Sequence, residues 1–185
     1  MRHTRREVMG RARREFATLD RLVRRLRPAD WTWRVPRPPT RDPWTVKDAL
    51  AHIVYWKEHT ARVIRGERRP PPLRGLDVNQ INRVIYLRWR RRSPGQVVEW
   101  HRRVHADVLR TLARTPHEWF GRRERSPQWP ADLHGHSAAH RMRDIEAALR
   151  SPGGRPAAAR EWGRLNLKGR PGRSNSIRRP SAPRK

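Results

Sequence analysis

Apolar side chains recur at spacings of three and four through Val8, Ala12, Phe16, Leu19, Leu22, Val23 and Leu26, the period of one face of an α-helix. The pattern predicts a first helix over 5–26. The stretch "RVPRPPTRDPW" is too rich in proline to continue it. At "TVKD", Thr45 precedes Asp48 by three positions, a capping-box variant that opens a second helix over 46–65. At about 100° per residue around that helix, Val46, Ala49, Leu50, Ile53, Trp56, Thr60, Val63 and Ile64 fill one arc. His52 and His59 lie along its edge.

After "GERRPPPLRG" the stretch "LDVNQINRVIYLRW" resumes the helical period. It is interrupted at Ser93-Pro94, where serine can cap and proline can occupy the first turn of a new segment. That segment, to about residue 114, presents Val97, Val98, Val104, Val108, Leu109 and Leu112 on one face, with His101 and His105 near the middle of the arc. A loop through "TPHEWFGRRERSPQWPAD" leads to a last helix over 133–150, ended by "SPGG". There is no internal repeat, no useful β-type alternation and no glycine-rich phosphate loop. Four long amphipathic helices with Pro-rich links predict an all-α protein, an antiparallel four-helix bundle.

A chain of 185 residues suits one domain with a real core. The expected division is a bundle over 1–150 and a tail over 151–185. The tail turns to Arg, Pro, Gly and Ser, with ten basic residues against the single acid Glu161, and is expected to be disordered. Charge is the loudest feature of the whole chain: 45 Lys+Arg against 17 Asp+Glu give +28, and only Lys47, Lys57, Lys168 and Lys185 are lysine. Such a surplus attracts polyanions at low salt, although arginine-rich usage also describes a merely solvated surface.

With no cysteine there is no disulfide, no thiolate ligand and no sulfur nucleophile carried by the chain, so thiol chemistry would need a thiol from outside. The start "MRHTRREVMGRARREF" lacks the apolar region of a signal peptide, and no run approaches the roughly 18 apolar residues of a membrane span. The expectation is a soluble, cytoplasmic protein.

"LHGHSAAHRMRDI" then poses the chemical question, with three of the nine histidines packed into it. Residues four apart on a helix project within about 40° of each other, so His136 and His140 could reach one ion from adjacent turns. An open catalytic site needs three protein ligands, and His52, on the core edge of the second helix, is the natural third. Chance pairs also arise on arginine-rich helices with this many histidines. His101 and His105 form a rival pair, whose alternative role is that of core histidines bonded to a carbonyl or another side chain. His59 and His134 read as supporting or surface groups. Trp56 and Trp100 either wall a pocket or simply pack.

"DPWTVKDALAHIVYWKEHTARVI", followed late in the chain by "GHSAAHRMRDIEAAL", resembles the DinB-like superfamily of four-helix bundles, in particular its ClbS/DfsB-type branch. The shared features are a Trp before the second helix, the spacing of Asp48, His52 and Trp56, and the H-x-x-x-H of the last helix. The resemblance covers roughly residues 10–150. It implies a divalent metal, commonly zinc or nickel, held by His52, His136 and His140. It further implies a hydrolase or a thiol-dependent transferase acting on a small reactive metabolite, with a low-molecular-weight thiol as a second cofactor in the latter case. Asp48 and Asp144 each stand four residues from a proposed ligand and could orient it.

One position departs from the family. Where an apolar residue usually follows the second histidine by four, this chain has Asp144, and Ile145 comes one later. On a regular helix His136 and His140 would point nearly opposite to the stripe Ala138, Met142, Ile145 and Leu149, which His134 would share. Either a one-residue π-bulge or an irregular start at Gly135 reconciles the two faces, or the histidines turn outward and the site is lost. The expectation is a site. The competing function is a non-catalytic basic bundle that binds nucleic acid or a partner protein, against which no groove-reading motif is present. Expected partners are a small-molecule substrate and, at low salt only, nonspecific nucleic acid, with a homodimer left open and no membrane.

Overall fold

The computed structural model describes residues 3–121 and 135–151. Helix α1 spans Arg5–Arg25, and a 3-10 turn at Pro28–Thr32 leads into the proline-rich link. Helix α2 is Val46–Ile64, α3 is Val78–Trp89, α4 is Pro94–Arg114 and the short α5 is His117–Phe120. The last helix comes in three continuous pieces: α6 at Gly135–His140, a π-helical stretch at Arg141–Glu146, and α7 at Ala147–Arg150. The protein is an all-α bundle. Helix α2 lies at its centre, packed on α3, on α4 and on the last helix, while α1 packs on α4. The tail and His134 lie outside the described residues.

Local sequence accounts for where the helices begin. α1 to α4 each open with a reciprocal capping box, Thr4 with Glu7, Thr45 with Asp48, Asp77 with Gln80, and Ser93 with Gln96. Each such cap satisfies backbone donors that have no partner inside the helix, and an N-cap side chain is worth typically about 1 kcal/mol. Pro94 occupies the first turn of α4, where its missing N–H costs nothing. The break between α3 and α4 is fastened from α2, because the Lys47 ammonium donates to the carbonyls of Trp89 and Arg90 at 2.8 and 2.9 Å. A cation there answers the negative end of α3.

The core is built from the stripes that periodicity predicts, with differences that follow from packing. Leu19, Leu50, Ile53, Val97, Leu112 and Ile145 are fully buried. On the second half of α2, however, Lys57 and Ala61 are buried while Thr60 and Val63 are not. A central helix meets neighbours on several sides, so its buried arc is not the one a single apolar face would mark. Met142 is also exposed, contrary to the predicted stripe.

The antiparallel link before α2 has a specific shape. Val35 N–H donates to the Trp44 carbonyl and Val46 N–H to the Trp33 carbonyl, at 3.1 and 2.9 Å. These bonds close the loop of residues 36–43 against the start of α2. Trp44 is thereby sealed into the core, and the loop is set beside His52.

His101 is buried, and neither ring nitrogen has a hydrogen-bond partner among the described residues. It is a core histidine, as one reading of the sequence had it, but it is not bonded to a carbonyl or side chain. It stacks instead on Phe16 at 4.7 Å between centroids, and His105 stacks on the same ring at 3.7 Å. Burial, and next the charge of Lys57, push the pKa of His101 down to about 3 and that of His105 down to about 4. Unfolded histidine titrates near 6.5, so below about pH 6.5 the unfolded chain binds more protons than the folded one. Their contribution is complete above that pH and is lost as pH falls toward 4. We therefore expect the melting temperature to drop between pH 7 and pH 4.5, and His101→Leu to make the drop shallower. At pH 7.5 the same substitution should leave stability unchanged or raised by about 1 kcal/mol, since it removes an unsatisfied buried polar group. Thermal melts across this pH range, parent against variant, check both statements.

Candidate metal centre

His52 is the seventh residue of α2, between Trp44 and Trp56, and is almost wholly buried. His136 and His140 come from α6, across the bundle. All three rings meet. Centroid separations are 5.1 Å from His52 to His136, 4.4 Å from His52 to His140 and 4.4 Å from His136 to His140. One nitrogen from each lies within 4.8 Å of the others, and the three could hold a metal ion. His52 Nε2 and His140 Nε2 are 3.3 Å apart. Two nitrogens placed about 2.0–2.1 Å from a tetrahedral ion stand about 3.3–3.4 Å apart, so this spacing already fits.

The π-helical stretch Arg141–Glu146 makes the convergence compatible with the core. One surplus residue per turn rotates everything after it back by about 100° relative to a regular helix. Ile145 and Ala148 therefore return to the side of the helix that carries His136, Ser137 and His140. Ile145, Ala148 and Ser137 are all buried. Of the two resolutions the sequence left open, the structure adopts the π-bulge. Glu15 of α1 fastens the piece in place, its carboxylate accepting from the Ser137 hydroxyl at 3.2 Å and from Arg141 Nε at 3.1 Å.

At His52 the electrostatics favour ligation over protonation. Burial holds the His52 pKa down to about 2, with His140, His136 and Arg37 pushing the same way. Its imidazole is thus neutral, with a lone pair to give. His140 Nδ1 donates to Asp144 Oδ2 at 2.6 Å, which turns its Nε2 toward the other two rings as an acceptor. Asp48 does not play the corresponding part for His52. Its carboxylate is committed to the cap of α2, accepting from Thr45 N and Oγ1 at 3.0 and 2.9 Å.

The cluster forms one wall of a cavity of about 560 Å³ whose remaining lining includes Pro36, Arg37, Pro38, Trp44, Trp56, Asn82, Arg143 and Asp144. Asn82 Oδ1 accepts from Trp56 Nε1 at 3.1 Å and fixes that indole. Trp56 therefore walls the pocket, whereas Trp100 stacks on Trp89 at 4.0 Å beside a different hollow. His59 packs beside Tyr55 and Trp56 and does not join the trio. His101 and His105 lie apart from it, against Phe16. Arg37 and Arg143 escaped the sequence reading, because arginine is the commonest polar residue here and neither stands in a periodic pattern.

A bundle with a histidine from an early helix and a spaced pair from the last one defines a class, and the chain's own sequence supplies the family. The model of the DinB superfamily matches residues 11–165, and the chain belongs to that superfamily. Neither a curated protein nor a solved structure matches it. Among the described residues no helix is long and apolar enough to cross a membrane.

Because Asp144 holds His140 in its acceptor form, Asp144→Asn should weaken zinc binding about 10–100-fold, the usual effect of losing an outer carboxylate partner. Competition titration against a chromophoric chelator measures it. The melting temperature of the metal-free protein should move little, and unchanged zinc affinity would contradict the role given to Asp144.

Proposed function

We propose that this chain is a metal-dependent enzyme of the DinB superfamily, with His52, His136 and His140 holding a divalent ion, zinc or nickel. Its reaction is hydrolysis or thiol-dependent transfer on a small reactive metabolite. The observation that carries this reading is the convergence of three imidazoles, drawn from two helices far apart in sequence, in the wall of a solvent-connected cavity. Buried core histidines would not need such an opening.

When bound, the ion supplies a Lewis acid of undiminished positive charge, able to acidify a water or an incoming thiol toward neutral pH. The chain's own groups set the conditions. Burial keeps His52 neutral, and Asp144 holds the tautomer of His140. Trp44, Trp56, Pro36 and Pro38 give the cavity apolar walls that limit competing water. The thiol of a transferase would come from a separate small molecule, because the chain has no cysteine. The net charge of +28 supports weak, salt-sensitive association with nucleic acid as a property beside this chemistry.

Metal content of tag-free protein tests the assignment. The parent should carry close to one equivalent after zinc loading and desalting, and His52→Ala, His136→Ala and His140→Ala should each lower it at least tenfold. His101→Ala and His105→Ala should keep the metal and lose stability, as core truncations do. The reverse pattern would reassign the site to α4.

A further inference from the structure

The cavity above the histidines has an excess of positive charge. Arg37 is half-buried, with its guanidinium carbon 3.5 Å from the centroid of Trp44. That ring is itself 4.8 Å from His52. Stacking of this kind fixes the guanidinium plane and leaves its N–H edge free for a planar, two-point partner. Among the described residues neither Arg37 nor Arg143, which lines the same cavity, forms an ion pair, and Arg37 feels only the more distant attraction of Asp144. The contrast with Arg141, on the same stretch of helix, is direct: it is paired with both Glu15 and Glu146. The cavity's acid, Asp144, is occupied by His140. With a dication on three neutral ligands, the charges facing the cavity would sum to a strong positive field, and low-dielectric indole walls would concentrate it.

We propose that this cavity takes a small organic anion. Its carboxylate or phosphate is held by Arg37 and Arg143, and its apolar body lies against Trp44, Trp56 and the prolines of the 36–38 loop. The inference rests on the metal-centre reading for the ion, and on the two arginines for the ligand's charge. It names the substrate class: an acid with a flat or short apolar portion, of a size that about 560 Å³ admits. A charge-assisted pair from a preset guanidinium is both strong and directional. A neutral analogue of the same shape leaves both arginines unanswered.

The test uses zinc-loaded full chain at physiological salt, with benzoate, phenyl phosphate and benzamide as probes in calorimetric titrations and zinc measured on every sample. Benzoate or phenyl phosphate should bind at least tenfold tighter than benzamide, and the better of the two shows whether the site is shaped for carboxylate or phosphate. Arg37→Gln and Arg143→Gln should each weaken the anion at least tenfold with zinc content unchanged. Arg21→Gln, an exposed change on α1 that removes the same charge, should leave binding as it was. If benzamide matches the anions, or Arg21→Gln costs as much as Arg37→Gln, the inference is overturned while the metal reading stands. Arginine-dependent anion binding without zinc uptake would support the anion cavity and overturn the metal reading. Loss of both would overturn both.

Discussion

The last helix has to serve two faces at once, and everything about the candidate site depends on how it does so. His136 and His140 are separated from the apolar Ile145 by a spacing that a regular α-helix would splay to opposite sides. The hydrophobic contribution of burying Ile145 completely is of the order of 2 kcal/mol. A regular helix would have to give that up or turn the histidines to solvent. The π-helical stretch Arg141–Glu146 removes the conflict with one surplus residue, whose consequence is the exposure of Met142. Glu15, bonded to Ser137 just before the stretch and to Arg141 at its start, ties that geometry to α1.

Given that register, the remaining properties of the site follow from burial. An imidazole sunk between Trp44 and Trp56 stays neutral, and Asp144, carried by the π-helical turn, reaches back to His140. The same turn brings Arg143 to the cavity's edge. Opposite, the proline-rich link is folded against α2 by backbone bonds, which is what delivers Arg37 over Trp44. Loop and helix thus meet across the three histidines, one contributing aromatic and basic groups, the other two imidazoles and a carboxylate.

Much of this was legible in the sequence because it is written locally. The box at Thr45 and the Ser93-Pro94 pair mark helix starts through side chains close in sequence, and the arcs of α1, α2 and α4 through a period of about 3.6. The trio His52, His136 and His140 followed from the family resemblance together with helical spacing. Sequence could expose the mismatch between Asp144 and Ile145 but not choose its resolution. In the fold that stretch is held by Glu15, more than a hundred residues away. For the same reason Lys57 and Ala61 displaced Thr60 and Val63 inside α2: the winning face is set by which helices surround it. Asp48 illustrates the opposite failure. Its spacing from His52 suited a supporting carboxylate, but the cap of α2 had the stronger claim on it. Arg37 carried no local signal at all, lying in an irregular loop of a chain in which all but four of the 45 basic residues are arginine.

The π-helical turn lets three imidazoles face one point, where they could share an ion. X-ray absorption at the zinc edge, on tag-free chain loaded with one equivalent, reads that arrangement without reference to any reaction. A low-coordinate site with three imidazoles at about 2.0–2.1 Å and one further oxygen ligand is expected. A spectrum of fully hydrated zinc, or one with fewer than three imidazoles around the ion, would contradict it.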